Sequence, residues 1–406
     1  MTLKTDRTII KRSEMPLNGE RAYELMQSRG VDAIVASSNE NVYYVSDYWS
    51  IGKQLGCGVE AYALLPLESE PALIAPLKEA DLVVDSGSWI GDLRFYGPSN
   101  IKLGSPEAPT EQTERLIKIH ESTRSEADGA TALLKALEEK KLTGSTIALD
   151  SSSMPPGLFD LIRSRLPEAR IVDGSSLLSE IRLVKTGPEI DCIRRATEIT
   201  EKSMEDALEI ARSEIMEIDL AGMYAYSVAY DGGRVSQNMI GFGKRSAYPN
   251  PVPSDLEAAR GDIIRMTLGC RLLHYNSNIS RTAVIGRAPA RVKKVWEAVQ
   301  NAQDAALRAI KPGARLSEIH AAAAKELDSA GVSGSPSFGH GLGVECNERP
   351  WIEAGGDGEL LEGMVLNVDI PYLELGWGGV QLEDTVLVTK DSFELLTNTD
   401  RTLYLL

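Results

Sequence analysis

Four segments in the second half of this chain place polar residues inside apolar runs that glycines and prolines interrupt. They are residues 247–255, 261–282, 339–343 and 363–384. Short apolar runs are typical of buried strands, and glycine permits the close backbone approach that turns between strands require. An unpaired polar side chain inside such a strand is costly. The pattern therefore indicates a sheet whose polar residues share one site.

Length and charge limit the class of protein. A chain of 406 residues exceeds a single compact core, so two domains are expected. Its 43 basic and 59 acidic residues give a net charge of −16, which repels nucleic acid and anionic membranes. We therefore expect no nucleic acid and no membrane as partners, and separately we expect a small-molecule substrate.

Cysteine usage and the N-terminus bear on location. The four cysteines are scattered and form no Cys-x-x-Cys pair, so a zinc knuckle is not indicated. Residues 1–7 lack a basic-then-apolar signal, and no apolar run reaches about 18 residues. The expected location is the cytoplasm.

The first part of the chain alternates helical and strand patterns. Helices are predicted at residues 19–29, 128–141 and 158–166, and strands at 31–37, 61–67, 71–75, 146–149 and 170–173. Strands that alternate with helices indicate a small α/β domain, which we assign to residues 1–175.

A second domain is assigned to residues 176–406. Thr186, followed by Gly, Pro and Glu189, is typical of a capping box at the start of a long helix. Later helices are predicted at 292–310 and 316–330, and strands at 263–268, 282–285, 364–370 and 385–389. Strands flanked by long helices predict an α+β arrangement.

The four polar segments resemble those of peptidase family M24, the pita-bread group that includes methionine aminopeptidase, Xaa-Pro aminopeptidase, prolidase and creatinase. Residues 39–48 and 181–185 are similar to the N-terminal domain and domain junction of its prolidase and creatinase branch. The resemblance covers essentially the whole chain. It implies a creatinase-like N-terminal domain, a pita-bread catalytic domain and a homodimer.

In metal-dependent members of this group, two Asp, one His and two Glu hold a pair of divalent ions that activate water. The resemblance places these five ligands, in chain order, on Thr267, Asn278, His340, Asp369 and Glu383. Two further family histidines fall on Asn250 and Asn347, and the Arg before the last Glu falls on Gln381.

Most of the metal ligands are therefore replaced. With two neutral residues in place of carboxylates, a pair of cations would repel strongly in a low-dielectric cleft. We expect no dinuclear site and no cofactor. One His and two carboxylates could still bind a single metal ion, so a mononuclear site stays open.

Creatinase and ectoine hydrolase are precedents in the group for cleaving a C–N bond without metal. We therefore predict a metal-independent hydrolase that cleaves an amide, ureido or amidine C–N bond. His340 would be the general acid or base, with Asp369 or Glu383 orienting it or binding a cationic nitrogen. The predicted substrate-binding residues are Asn250, Thr267, Asn278, Asn347 and Gln381.

Two other functions stay open. One is an Xaa-Pro dipeptidase or aminopeptidase with at most one metal ion, and the other is a non-catalytic pita-bread binding module. Two structural interpretations also stay open: Asp369 and Glu383 could form internal ion pairs with Arg265 or Arg281, and Cys270 and Cys346 could be buried apolar residues or nucleophiles.

Overall fold

The computed structural model describes residues 16–99, 101–104, 107–332 and 334–406. Residues 1–7, where no signal was predicted, lie outside that description. The described chain forms two compact units, one ending at Arg182 and the other spanning Leu183–Leu406. The sequence-based boundary falls earlier, between residues 175 and 176. Within the described ranges, no helix has the length and apolar character needed to cross a membrane.

The N-terminal unit is a layered α/β structure. Its helices are α1 (Gly19–Arg29), α2 (Asn39–Ser46), α3 (Ile51–Gln54), α4 (Ala80–Ser86), α5 (Glu111–Ser122), α6 (Gly129–Glu139), α7 (Leu158–Arg165) and α8 (Ser175–Arg182). Its strands are β1 (Ala33–Ala36), β2 (Tyr62–Pro66), β3 (Ala72–Pro76), β4 (Asp92–Tyr96), β5 (Thr146–Leu149) and β6 (Arg170–Asp173).

These strands form one mixed sheet in the order β4-β3-β2-β1-β5-β6. Strand β1 is antiparallel to β2 and parallel to β5, and every residue in it is buried. The sequence of a strand that is covered on both faces is a continuous apolar run, and such a run predicted β1.

The C-terminal unit contains four long helices and one large sheet. The helices are α9 (Gly187–Glu209), α10 (Glu217–Tyr230), α11 (Ala290–Ala309) and α12 (Leu316–Ser329). The strands are β7 (Arg234–Phe242), β8 (Ile263–Leu272), β9 (Tyr275–Asn276), β10 (Ile279–Val284), β11 (Ser337–Gly341), β12 (Glu348–Glu353), β13 (Val365–Glu374), β14 (Gly378–Val388), β15 (Phe393–Leu395) and β16 (Tyr404–Leu405).

The sheet of this unit has ten strands, with the main order β12-β11-β13-β14-β10-β8-β7. Helices α9 and α10 pack on β7, β8 and β10, whereas α11 and α12 pack on β11, β13 and β14. Alternate strand residues such as Met266, Val368 and Leu382 point into these helix-facing cores. The residues between them therefore point to the opposite face of the sheet.

Several sequence predictions are confirmed at the level of single elements. Helix α1 has the predicted bounds, and strands β5 and β6 match theirs. Thr186 caps α9 as predicted, since its side chain accepts a hydrogen bond from the Glu189 amide and the Glu189 carboxylate accepts one from the Thr186 amide. Helices α2 and α10 and strand β7 were not predicted.

Candidate active site

Strands β8, β10, β13 and β14 carry a row of polar side chains on the sheet face that points away from the helices. Strand register brings them together across the sheet. Ser280 of β10 lies opposite both Thr267 of β8 and Glu383 of β14, and Glu383 also lies opposite Asp369 of β13. Residues directly opposite in antiparallel strands have side chains on the same face. The sequence places these residues far apart, and the register makes them one cluster.

Glu383 is the centre of this cluster and is 1% exposed. Its Oε1 accepts hydrogen bonds from the side-chain amides of Asn278 (2.7 Å) and Asn367 (2.9 Å). Its Oε2 accepts one from the Ser280 hydroxyl at 2.7 Å. Both carboxylate oxygens are therefore engaged by the protein, and the side chain is held in one orientation.

Asn278 contributes an acceptor that the protein does not use. Its Nδ2 must face Glu383, because its Oδ1 would be repelled by the carboxylate oxygen. Oδ1 is thereby left buried without a hydrogen-bond partner among the described residues. Buried polar atoms are normally paired, and an unpaired one next to a polar cluster indicates a place for a ligand.

Asp369 is connected to the rest of the cluster through Gln381. The side-chain amide of Gln381 donates to Asp369 Oδ1 at 2.8 Å, and its oxygen accepts from Arg265 Nη1 at 2.5 Å and from the Thr267 hydroxyl at 3.2 Å. Unlike Glu383, Asp369 is only half-buried. Its Oδ2 makes no hydrogen bond within the described part of the chain and is open to a ligand.

Arg265 lies on the same face, two residues before Thr267, and is 1% exposed. It donates to the carbonyl oxygens of Ser246, Tyr248 and Pro249, as well as to Thr267 and Gln381. Burial lowers the pKa of its guanidinium to about 10, while the nearby carboxyls Asp369 and Glu383 oppose that shift. Arg265 is therefore a cation at neutral pH.

His340 is held so that one ring nitrogen faces the cluster. Its Nδ1 lies 2.9 Å from the carbonyl oxygen of Gly341, which can only accept, so Nδ1 carries the proton. Its Nε2 lies 3.9 Å from Glu383 Oε1. Burial lowers the pKa of His340. The neutral ring therefore presents a lone pair on Nε2.

The two carboxyls influence each other. Burial, followed by the charge of Glu383, raises the pKa of Asp369. Burial also raises the pKa of Glu383, although the hydrogen bonds from Ser280 and Asn367 oppose the shift. Two acids that lie opposite each other in a partly dry site favour sharing a proton. The pair can then both accept and donate a proton near neutral pH.

The structure brings six of the eight predicted site residues into this network: Thr267, Asn278, His340, Asp369, Gln381 and Glu383. Asn250 and Asn347 are exposed, and no hydrogen bond between described residues joins them to it. Their predicted contact with substrate stays a prediction.

The structure bears on the two structural alternatives, internal ion pairs with Arg265 or Arg281 and the role of Cys270 and Cys346. Arg281 donates to Asp384 at 2.6 Å and reaches only the backbone oxygen of Glu383. Arg265 reaches Asp369 through Gln381 and forms no direct ion pair with it in the described structure. Burial raises the pKa of both Cys270 and Cys346 to about 12, so neither thiol is activated as a nucleophile.

Sequence reasoning missed Ser280, Asn367 and the position of Arg265. Side chains alternate between the two faces of a strand, so residues an even number of positions apart share a face. Each missed residue lies an even number of positions from a predicted site residue on its strand or directly before it. Ser280 lies two residues after Asn278, Asn367 two before Asp369, and Arg265 two before Thr267. Applying the period of two to the whole of each strand would have found them.

Comparison with known proteins gives the family. Residues 191–390 match the model described as "Metallopeptidase family M24", and residues 20–184 match "Creatinase/Prolidase N-terminal domain". The Xaa-Pro dipeptidase of Pyrococcus horikoshii is 29% identical over 390 residues, covering 95% of this chain and 97% of that protein. The Xaa-Pro dipeptidase of Pyrococcus furiosus is 34% identical over 249 residues, covering 59% of this chain and 70% of that protein.

A solved structure gives the same result. The crystal structure of the prolidase from Pyrococcus horikoshii matches with a TM-score of 0.77 and 27% identity, covering 95% of this chain and 99% of that one. The predicted fold class, a small α/β creatinase-like domain followed by a pita-bread domain, is thereby confirmed. The chain belongs to the hydrolases of metallopeptidase family M24.

Proposed function

We propose that this protein hydrolyses a C–N bond of a small polar compound with its own side chains, without a pair of metal ions. The observation that carries the proposal is the hydrogen bonding of Glu383, whose two oxygens are occupied by three protein donors. A carboxylate engaged in this way has little capacity left to ligate an ion. The amide and hydroxyl groups around it are suited to a polar organic substrate.

The donor set at the site does not fit a dinuclear centre. In the described part of the chain, no three or more His, Cys, Asp or Glu side chains are arranged to hold a metal ion. Thr267 and Asn278, which stand where the family resemblance expects carboxylates, are neutral. Nearby Arg265 already supplies a positive charge. These features support the proposed replacement of the metal ligands.

Hydrolysis can be assigned to the residues that remain. Neutral His340 takes a proton from water at Nε2, and the water oxygen adds to the carbon of the C–N bond. As that bond breaks, the departing nitrogen receives the proton from His340. Asp369 Oδ2 and Asn278 Oδ1 accept hydrogen bonds from N–H groups of the substrate, which favours an amide, ureido or amidine compound.

The comparisons favour a second candidate, Xaa-Pro dipeptidase activity, because the relatives in Pyrococcus horikoshii and Pyrococcus furiosus carry that name. Both candidates break a C–N bond of a small molecule. They differ in whether turnover requires bound metal.

One experiment separates these candidates. Protein purified without chelator is analysed for bound metal and assayed against ureido, guanidino, cyclic-amidine and Xaa-Pro compounds. We expect far less than one metal ion per chain and turnover that a chelator does not reduce. His340→Ala should lower kcat by roughly 100- to 10,000-fold, the usual contribution of general acid–base catalysis.

His320→Ala is the matched control, because His320 stacks on Phe338 with ring centroids 4.6 Å apart, away from the polar row. Bound metal and metal-dependent cleavage of Xaa-Pro compounds would establish the second candidate instead. Full turnover by His340→Ala would remove the assigned base. Binding of a compound without any product would favour the non-catalytic binding module.

The cytoplasmic location and the homodimer stay predictions. Size-exclusion chromatography with light scattering tests the second.

A further inference from the structure

The site carries two acidic side chains directly opposite each other. Asp369 and Glu383 pair across β13 and β14, an arrangement that is unfavourable for like charges. When both acids are ionised, such a pair needs positive charge nearby. In a metal-dependent enzyme, bound ions provide it, and the donor set described above does not fit such ions.

Arg265 is a buried cation on this face of the sheet. Its guanidinium has five N–H groups, and the structure shows five acceptors for them: three backbone carbonyls, Thr267 and Gln381. No donor remains for a substrate. Arg265 is therefore fixed in the protein and acts on the site through its charge and through its neighbours.

Gln381 links that charge to the acids. Because Arg265 Nη1 donates to the amide oxygen of Gln381, the amide nitrogen must turn toward Asp369, where it donates to Oδ1 at 2.8 Å. The guanidinium thus sets the orientation of Gln381, and Gln381 sets that of Asp369. The guanidinium charge favours the ionised form of Asp369 without direct contact, and Asp369 Oδ2 makes no hydrogen bond within the described residues.

We propose that Arg265 is a built-in positive charge that occupies the electrostatic role of a metal ion, excludes divalent cations from the site and positions Asp369 through Gln381. This inference rests on the proposed function, because it assumes metal-free chemistry. It predicts that restoring the two missing carboxylates would by itself give only a weak metal site. A carboxylate introduced at position 267 would lie next to Nη1 of Arg265, which is 3.4 Å from Thr267 Oγ1, and would pair with it.

The test measures Mn²⁺ binding by calorimetry, independently of activity. The parent variant is Thr267→Asp/Asn278→Asp, compared with the same pair combined with Arg265→Met or Arg265→Lys. We expect no saturable binding by the wild type and weak binding by the parent variant. Adding Arg265→Met should tighten binding by about tenfold or more, since a unit charge is removed near the site. Adding Arg265→Lys, which keeps the charge, should leave the parent affinity unchanged.

Arg265→Met removes several buried hydrogen bonds, so its folding is checked by thermal unfolding with and without Mn²⁺, with Arg265→Gln as a second neutral variant. A rise in Tm with Mn²⁺ reports binding even in a destabilised protein. Equal Mn²⁺ affinity with Met, Gln, Lys and Arg at position 265 would overturn the inference, as would equal tightening by Lys and Met. Two Mn²⁺ ions bound by the wild type and required for turnover would instead overturn the proposed function, before any Arg265 variant is made.

Discussion

Glu383 and Asp384 are consecutive residues of β14 that point to opposite faces of one sheet. The two carboxyl groups differ in the kind of side chain that contacts them. On the helix-facing side, Asp384 contacts two arginines directly, Arg281 at 2.6 Å and Arg401 at 3.0 Å. On the other side, the described hydrogen-bond donors to the Glu383 carboxylate are amide and hydroxyl groups, and Gln381 lies between Arg265 and Asp369.

The difference separates a structural charge from the charge that we propose to be reactive. A carboxylate in direct contact with guanidinium groups is held in place by charge-assisted hydrogen bonds. A carboxyl pair whose counter-charge lies one side chain away keeps raised pKa values, as Asp369 and Glu383 do, and can exchange protons. Direct contact with arginine therefore indicates a structural role for Asp384.

The largest expected effect is on the structural side. Asp384→Asn leaves buried Arg281 without its carboxylate and removes one of the two carboxylates that pair with Arg401. Removing one partner of a buried ion pair costs about 3–5 kcal/mol. The free energy of unfolding, measured by denaturant titration, should fall by that amount. A loss below about 1 kcal/mol would mean that this pair is not the structural one.

Glu383→Gln is the matched change on the other face. Its side-chain oxygen can still accept from Asn278 and Asn367, and the Ser280 hydroxyl can turn to accept from the new amide. Stability should fall by only about 1 kcal/mol, while kcat should fall roughly 100-fold because the charge beside His340 is lost. Steady-state kinetics and denaturant unfolding of the same preparation test both parts. An active enzyme that is strongly destabilised would reverse the two roles.

The smallest expected effect is a dependence of stability on pH. The folded protein raises the pKa of Asp369 above its ordinary value of about 4, so the folded state binds this proton more tightly than the unfolded state. Its stabilising contribution is fully present below that ordinary value and is lost as pH rises through the raised value.

Asp369→Asn removes this dependence. Its stability relative to the wild type should therefore increase with pH between about pH 4 and pH 8, by about 1 kcal/mol or less because the Asp369 side chain is partly open to solvent, which screens its charge. Thermal unfolding across that range measures it, with Asp357→Asn as the surface control, because Asp357 is exposed in the segment between β12 and β13. A difference that decreases with pH would contradict the raised pKa.

The sequence alone predicted those elements whose structure is determined by residues close together in the chain. The Thr186 capping box and the apolar periods of α11 and α12 depend on neighbours within a few residues. Helix α10 lacked such a signal, because Met216 stands at its N-cap without a side-chain cap. Its apolar residues also surround much of the helix, so a single apolar stripe is hard to recognise.

The site shows the same limit. His340, Asp369 and Glu383 were found because the resemblance fixed their positions, and strand register then joined them. The role of Arg265 depends on which face it takes and on the carbonyls of a separate loop, and neither is encoded near it in the chain. Asn250 and Asn347 lie in loops outside the strands. The alternation of side chains along a strand therefore cannot predict which way these two side chains point.

The adjacency of Glu383 and Asp384 also limits how this protein can change over time. Successive strand residues point to opposite sides, so gaining or losing one residue within β14 would exchange the two acids. Asp384 would then face the polar row, and Glu383 would enter the helix-facing core. The turn between β13 and β14 can vary in length among descendants of this protein. The number of residues from Gln381 to Asp384 must stay the same.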